Sequence, residues 1–371
     1  MPVPILSEPP GKPDESYVIP YVEGELWTIP CSNSILRLLV TGKETRGDFA
    51  VLGAGGTGKA KTHSCRFNSF LGTDTMQTGD DPIGFHYHKE AHDVFLCIKG
   101  NINLWADDQA RTLGPGDYAS VPPGVIHQYQ VLGEHSEWLG LIIPGGWEEF
   151  FRFISEPFSQ HQLPLFLTKD KRNPMEALVP KLKEAAEKFD MVPCRGHKGA
   201  DPTPCSDSDN VLPETTKAYF LRADKGPRFA SGGLLVKPIQ RTAAANGKFA
   251  IAKLEGSSLI EHTSVSDHSL KFPSLHHAFV VDAGSVKFTI DGETSTATYG
   301  ETVFVPAGST FSFKFVTKHA ALYAFNSGGG LVELLVAAGQ AYDRPVISEG
   351  FPAGGDLKAL AKDYGLEISA A

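Results

Sequence analysis

Gly84-Phe-His86-Tyr-His88-Lys-Glu90-Ala-His92-Asp93-Val-Phe-Leu-Cys-Ile-Lys-Gly100 places three of the chain's 13 histidines beside two carboxylates. Side chains alternate along an extended segment, so His86 and His88 share one face. Two imidazoles on one face are half of a metal site. A third follows in Pro122-Pro-Gly124-Val-Ile-His127, where a tight turn can bring a neighbouring antiparallel strand across the same cavity. Asp93 can add an oxygen ligand, and Glu90 is the nearby substitute. Three imidazoles and a carboxylate suit a divalent transition ion such as copper, iron, nickel or manganese; thiolates or an all-oxygen cage would point elsewhere.

Glycine and proline extend the pattern in both directions. Gly100 precedes Gly116 by 16 residues and Gly284 precedes Gly300 by the same 16, and each second glycine is followed by five residues and Pro-x-Gly (Pro122, Gly124; Pro306, Gly308). The offset of 184 also relates Gly145-Gly146-Trp-Glu-Glu149-Phe to Gly329-Gly330-Leu-Val-Glu333-Leu. Strand-like runs fill the repeat (Ser34–Thr41, Val94–Lys99, Asn101–Trp105, Leu139–Pro144), each stopped by Gly, Pro or Asp. A long internal repeat of this kind predicts two similar β-domains and not a solenoid of short units. One clear helix is predicted between them, over Pro174 to Phe189, with apolar Leu178, Leu182 and Ala185 on one side of an otherwise charged surface. The Pro/Ser/Asp-rich run from Pro193 to Pro213 is expected to be a loop. The expected organisation is an N-terminal barrel over 1–155, a linker over 156–215, a C-terminal barrel over 216–348 and a tail over 349–371. At the same offset the second copy places Leu270, Phe272, His277 and Phe311 at the ligand positions. One histidine cannot hold a catalytic ion, so the second domain is expected to be a packing partner, with His276 and His277 hydrogen-bonded.

Composition agrees with this. In 371 residues, 38 Gly and 26 Pro argue against a helical bundle, and 41% hydrophobic with 21% charged residues is ordinary for a globular chain. The net charge of −9 comes without a basic block, so neither nucleic acid nor an anionic membrane is an expected partner. No basic, then apolar, leader opens the chain, and no apolar run nears the ~20 residues of a membrane span. Five cysteines at irregular spacing and the lack of an Asn-x-Ser/Thr site fit a reducing cytoplasm, with a Cys194–Cys205 bridge as the weaker alternative. Two other motifs are set aside. Gly53-Ala-Gly-Gly-Thr-Gly58-Lys59-Ala60 resembles a phosphate-binding loop but has Ala60 where a hydroxyl must meet magnesium. His88-Lys-Glu90-Ala-His92 has its glutamate one place late for a zinc protease.

The spacing His86, His88, Asp93, Gly100, followed by Gly116, Pro122, Gly124, His127, is the two-part cupin signature. Further stretches resemble the fungal quercetin 2,3-dioxygenases: Tyr17-Val-Ile, Leu39-Val-Thr-Gly, Cys97-Ile-Lys-Gly, Asn103-Leu-Trp-Ala, Gly116-Asp-Tyr-Ala-Ser-Val-Pro, Ile143-Pro-Gly-Gly-Trp-Glu-Glu and Tyr219-Phe-Leu. The resemblance implies an all-β bicupin of two double-stranded β-helix (jelly-roll) barrels joined by a linker with a short helix. It implies one divalent ion in the first barrel, Cu2+ by that family and Fe2+, Ni2+ or Mn2+ as alternatives, with O2 as co-substrate. The expected reaction opens the heterocyclic ring of a flavonol or related enolic polyphenol, releases carbon monoxide and puts both oxygen atoms into the product. The implied metal ligands are His86, His88, Asp93 and His127, and Asp93 or Glu90 is the candidate base. That family carries Glu where this chain has Asp93, one methylene shorter. Phe95, Tyr129, Trp138, Leu52 and Ala54 are the implied pocket walls. Trp138 stands where the family has a thioether and Tyr129 where it has a phenyl ring, which opens the substrate range to other phenolic or polyketide enols. Two alternatives stay open: a cupin using its ion as a Lewis acid in isomerisation, decarboxylation or cyclisation, and a non-enzymatic binding or storage bicupin. The partner expected is a small phenolic molecule, and a homodimer is the assembly left open.

Overall fold

The N-terminal part of the chain forms β1 (Tyr17–Ile19), followed by the strands of the first barrel, β2 (Glu25–Thr28), β3 (Ser34–Val40), β4 (Ala50–Gly56), β5 (His86–Tyr87), β6 (His92–Ala106), β7 (Gln109–Leu113), β8 (Tyr118–Val121) and β9 (His127–Ile143). They come from a computed structural model that describes residues 2–32, 34–56, 84–159, 170, 172–348, 350–352 and 355–370; Lys59 and Ala60 of the phosphate-loop-like motif lie outside them. The two longest strands, β6 and β9, pair antiparallel from His92↔Ile143 to Ala106↔His127. The runs Val94–Lys99 and Asn101–Trp105, expected as separate strands, are one strand with irregular register around Lys99. Gly100 makes that irregularity possible: its φ is +64°, and a Cβ there would lie 2.3 Å from the His135 carbonyl oxygen.

The repeat recurs at the level of individual hydrogen bonds. Gly284, at φ +66°, would bring a Cβ within 2.3 Å of the His319 carbonyl oxygen. The Gly116 N–H donates to the Cys97 carbonyl at 2.8 Å, and the Gly300 N–H to that of Val281 at 2.7 Å. Gly124 donates to His88 at 2.6 Å and Gly308 to Phe272 at 2.9 Å. The helices α1 (Glu148–Ile154) and, in the second copy, a later helix over Gly330–Ala337 follow the last long strand of each barrel, and neither was legible as a helix. Glu148 accepts the Gly42 N–H at 2.7 Å and Glu333 accepts the Thr242 N–H at 2.8 Å. Glu148 therefore plays the part of Glu333, one residue away from the match at Glu149.

The helix expected over Pro174 to Phe189 is two, α2 (Pro174–Ala177) and α3 (Val179–Lys188). The break falls at Leu178 because Pro180 has no N–H to donate and its ring crowds the preceding turn. Leu178, Leu182 and Ala185 pack into the core of the first barrel, together with Met191. Three short strands also tie this stretch to that barrel: β10 (Glu156–Pro157) pairs with β2, β11 (Val192–Pro193) with β5 and β12 (Thr203–Pro204) with β7. The loop expected from Pro193 to Pro213 holds little else. Cys194 and Cys205 are free thiols, so the alternative bridge does not form.

The rest of the chain is β13 (Tyr219–Leu221), β14 (Phe229–Ser231), β15 (Leu234–Gln240), β16 (Phe249–Gly256), β17 (His268–Lys271), β18 (His277–Ala283), β19 (Ser285–Ile290), β20 (Glu293–Thr298), β21 (Thr302–Val305), β22 (Thr310–Phe315), β23 (Ala320–Ser327), α4 (Gly330–Ala337), β24 (Gln340–Ala341), α5 (Leu357–Leu360) and β25 (Glu367–Ala370). Two strands cross the divisions expected at 155 and 216. The N-terminal β1 pairs with β21 of the second barrel (Tyr17↔Phe304), while β13, just after the linker, pairs with β8 of the first (Phe220↔Ala119). The arm after β1 is clipped to the first barrel by Tyr21, whose hydroxyl donates to Glu137 at 2.7 Å and accepts from Lys99 at 2.6 Å. The expected tail is part of the second barrel too, since β25 pairs with β17 and Leu357 and Leu366 enter its core.

Among the described residues three apolar cores result. Phe95, Cys97 and Trp138 lie inside the first barrel, and Phe279, Phe288 and Phe313 inside the second. Between them, Val94, Leu96, Leu139 and Leu141 meet Ile251, Val280, Tyr323 and Phe325. Val94 and Leu96 alternate with Phe95 and Cys97, so both faces of β6 are apolar because both are covered. Among the described residues no helix is long and apolar enough to cross a membrane.

Candidate metal centre

His86 lies directly across from His127 on the paired strands β5 and β9. His88, two residues further along, turns its ring to the same side. The imidazole centroids are 4.4 Å apart for His86 and His127, and 5.1 Å for His88 with either. Ligating atoms of the three rings all lie within 4.8 Å of one another, and all three residues are buried. The turn that delivers His127 is fixed by the Gly124 N–H bonding to the carbonyl of His88 itself.

Each ring is oriented through Nδ1. His86 Nδ1 faces the Gly84 carbonyl at 2.8 Å, His127 Nδ1 the Val125 carbonyl at 3.0 Å, and His88 Nδ1 the Asp190 carbonyl. A carbonyl only accepts, so each Nδ1 carries a proton and Nε2 is the atom of each ring left to face an ion. Asp93 Oδ2 lies 3.2 Å from His88 Nε2 and 3.3 Å from His127 Nε2. Donors sharing an ion at about 2.1 Å sit about 3.0–3.4 Å apart. His88 Nε2 and Asp93 Oδ1 are buried without a hydrogen-bond partner. A partnerless His88 Nε2 with Asp93 Oδ2 at ligand spacing fits a bound divalent ion, and the nitrogen-rich set with one carboxylate suits a borderline transition metal.

The electrostatics are those of a crowded, dry site. Burial, with repulsion from His127 and His88, pushes His86 well below the ordinary histidine range. Burial would also raise the Asp93 carboxyl, but His88 and His127 outweigh it and hold the group well below the usual carboxylate range. Burial pulls His88 down, and the attraction of Asp93 more than reverses this. His92 takes no part: its ring turns the other way, Nε2 meeting Ser120 Oγ at 2.7 Å, and burial pushes it to about 4. Glu90, the alternative carboxylate, is exposed on the turn after His88, and its N–H donates to Asp190 at 2.7 Å.

A cavity of about 40 Å³ adjoins His86, Asp93 and His127. Phe95, Tyr129, Trp138 and Leu52 line it, as carried over from the resemblance. Ala54 does not; it is packed in the barrel core opposite Trp138. Trp147 and Phe151 are walls that sequence reasoning missed. Trp147 stacks edge-on against His88 at 4.5 Å. Their signal was the i, i+4 aromatic pair in Trp147-Glu-Glu-Phe-Phe151, which puts both rings on one face as α1 begins.

The second barrel keeps the turns and fills the seat. Leu270, Phe272 and Phe311 are buried in its core, and His277 packs at a tilt against Phe272 at 4.7 Å and Phe311 at 5.3 Å. His277 Nε2 accepts the Leu331 N–H at 3.2 Å, and His276 Nδ1 accepts that of Ala307 at 3.0 Å.

Two barrels of this topology, one with a histidine cluster at its heart, define a bicupin, and residues 72–141 match the cupin domain model. The resemblance to the fungal quercetin 2,3-dioxygenases holds along most of the chain: quercetin 2,3-dioxygenase of Aspergillus japonicus is 26% identical over 310 residues, 77% of this chain and 86% of that protein. Quercetin 2,3-dioxygenase of Bacillus subtilis (strain 168) is 28% identical over 148 residues, so the chain spans 38% of that relative's length. Among solved structures, oxalate decarboxylase from Bacillus subtilis at pH 4.6 superposes with a TM-score of 0.47 at 15% identity, over 84% of this chain and 76% of that one, too distant a likeness to bear on function.

Proposed function

We propose that the chain is a metal-dependent dioxygenase that opens the heterocyclic ring of a flavonol such as quercetin, or of a related enolic polyphenol, with O2. The observation that carries this reading is the three-histidine cluster at an aromatic-walled cavity, in a chain similar over most of its length to a quercetin 2,3-dioxygenase. A divalent ion held by His86, His88, His127 and Asp93 supplies Lewis acidity that lowers the pKa of an enol hydroxyl; copper is the ion the resemblance implies, and iron, nickel and manganese suit the same donors. Asp93 Oδ1, which has no hydrogen-bond partner, is the oxygen placed to take the proton, and the imidazoles that hold its carboxyl low make it a weak base. Glu90 points its backbone into Asp190 and its side chain to solvent, so it is set aside as base and ligand. Phe95, Tyr129, Trp138 and Leu52 offer flat apolar surface against planar rings and keep water from the reacting carbon.

A ring system of flavonol size needs roughly 300 Å³ or more, so its entry requires the aromatic wall to part. The 40 Å³ cavity favours a second reading, Lewis-acid isomerisation, decarboxylation or cyclisation of a smaller metabolite. Metal-loaded protein incubated with a panel of enolic polyphenols should consume O2 and release carbon monoxide, and His127→Ala should do neither. No product from any polyphenol would sink the first reading. Turnover that survives strict anaerobiosis would establish the second.

A further inference from the structure

We infer that Asp190, in the connection between the barrels, is a positioning residue for the metal ligand His88, so that the connection completes the metal centre. The inference rests on the reading of the three histidines as ligands. His86 and His127 are oriented by carbonyls two residues away in the chain, Gly84 and Val125. His88 is different: its Nδ1 partner is the carbonyl of Asp190, 102 residues away.

Asp190 is held where it can do this by its own side chain. Oδ1 accepts the Lys89 N–H at 2.7 Å, and Oδ2 accepts those of Glu90 at 2.7 Å and Ala91 at 3.2 Å. One carboxylate thus gathers three successive amides of the turn that begins at His88. The Asp190 carbonyl also accepts from Trp147 Nε1 at 3.3 Å, and the Trp147 ring lies against His88. The chain beyond Asp190 then zips onto the ligand strand, with Pro193 opposite His86 and the Cys194 N–H donating to Phe85 at 2.8 Å. Backbone before and after His88 is therefore braced by one short stretch of the connection. Loss of the Asp190 carboxylate frees the turn, lets its carbonyl drift, and leaves His88 with no fixed tautomer; outer partners of this kind are worth 10–100-fold in metal affinity.

Cobalt(II) titrated into the full-length protein tests this, because its d–d bands report ligand geometry without any substrate. Asp190→Ala should bind cobalt about 10–100-fold more weakly, with shifted bands, and Asp190→Asn should recover part of the loss. Glu184→Ala, at an exposed ion pair on α3, should match the wild type. Unchanged affinity and bands in Asp190→Ala overturn the role of Asp190 and leave the site standing. A wild type that takes up no cobalt overturns both together. Should Asp190→Ala not fold, hydrogen exchange on the wild type decides: cobalt should slow exchange at the amides of Lys89, Glu90, Ala91 and Cys194, and unaltered exchange there overturns the inference.

Discussion

His277→Phe separates a dry second barrel from one with a latent polar site. His277 stands where Asp93 stands in the first barrel, enclosed by Phe272, Phe279 and Phe311. Burial pushes its pKa down to about 3, helped by His276 and opposed by a hydrogen bond to the Leu275 carbonyl. In the unfolded chain it titrates near 6.5. Between those values the unfolded chain holds a proton that the native state refuses, so stability falls as pH falls, and above about 6.5 the group contributes no pH dependence. Relative to its value well above pH 6.5, stability at pH 4.5 is lower by about 2.7 kcal/mol, two units at 1.36 kcal/mol per unit. Phenylalanine abolishes that loss but orphans the Leu331 N–H, costing about 1–3 kcal/mol at every pH. Urea denaturation of both proteins at several pH values should show the variant less stable near neutrality and the two profiles converging on acidification. Profiles that stay parallel would refute the account, because they would mean that His277 is solvated and titrates alike in both states.

Two further outcomes follow from the arm and the exchanged strands. Gly300→Ala should lower stability by about 2–4 kcal/mol, since φ is +77° and the new Cβ would fall 2.1 Å from Tyr21 Cδ2; Gly308→Ala, with φ +84° and its nearest neighbour 3.8 Å away, should cost only about 1–2 kcal/mol in the same thermal melts. Residues 1–215 expressed alone should be insoluble or molten, because β8 loses β13 and the apolar β1 loses β21; a sharp cooperative melt of that fragment would contradict this.

The histidine cluster and the turns were legible because both are local. His86, His88 and His127 show themselves by spacing, and Gly100, Gly116 and Gly124 by backbone conformations that other residues resist. The failure of the second copy could be counted from its first glycine. Contacts between distant parts of the chain left no such mark. Tyr17-Val-Ile is a short apolar run that would suit any strand edge, and nothing in it specifies Phe304 as a partner. Asp190 sits in no motif, and its role depends on a carbonyl, which every residue has. The helix break at Leu178 could have been read from Pro180. The small cavity could not, because it depends on how Trp147 and Phe151 pack against side chains of β4, β6 and β9.

The exchange of strands has a consequence for synthesis. The first barrel waits for Tyr219–Leu221, and β1 waits for a partner about 290 residues downstream. At ~5–20 residues per second, Tyr17-Val-Ile leaves the ribosome roughly 15–60 s before β21 exists to receive it. For that interval the nascent chain presents an unpaired apolar edge of the kind that recruits chaperones or neighbouring chains. The price of tying two barrels together at both ends is a fold that closes only when translation is nearly complete.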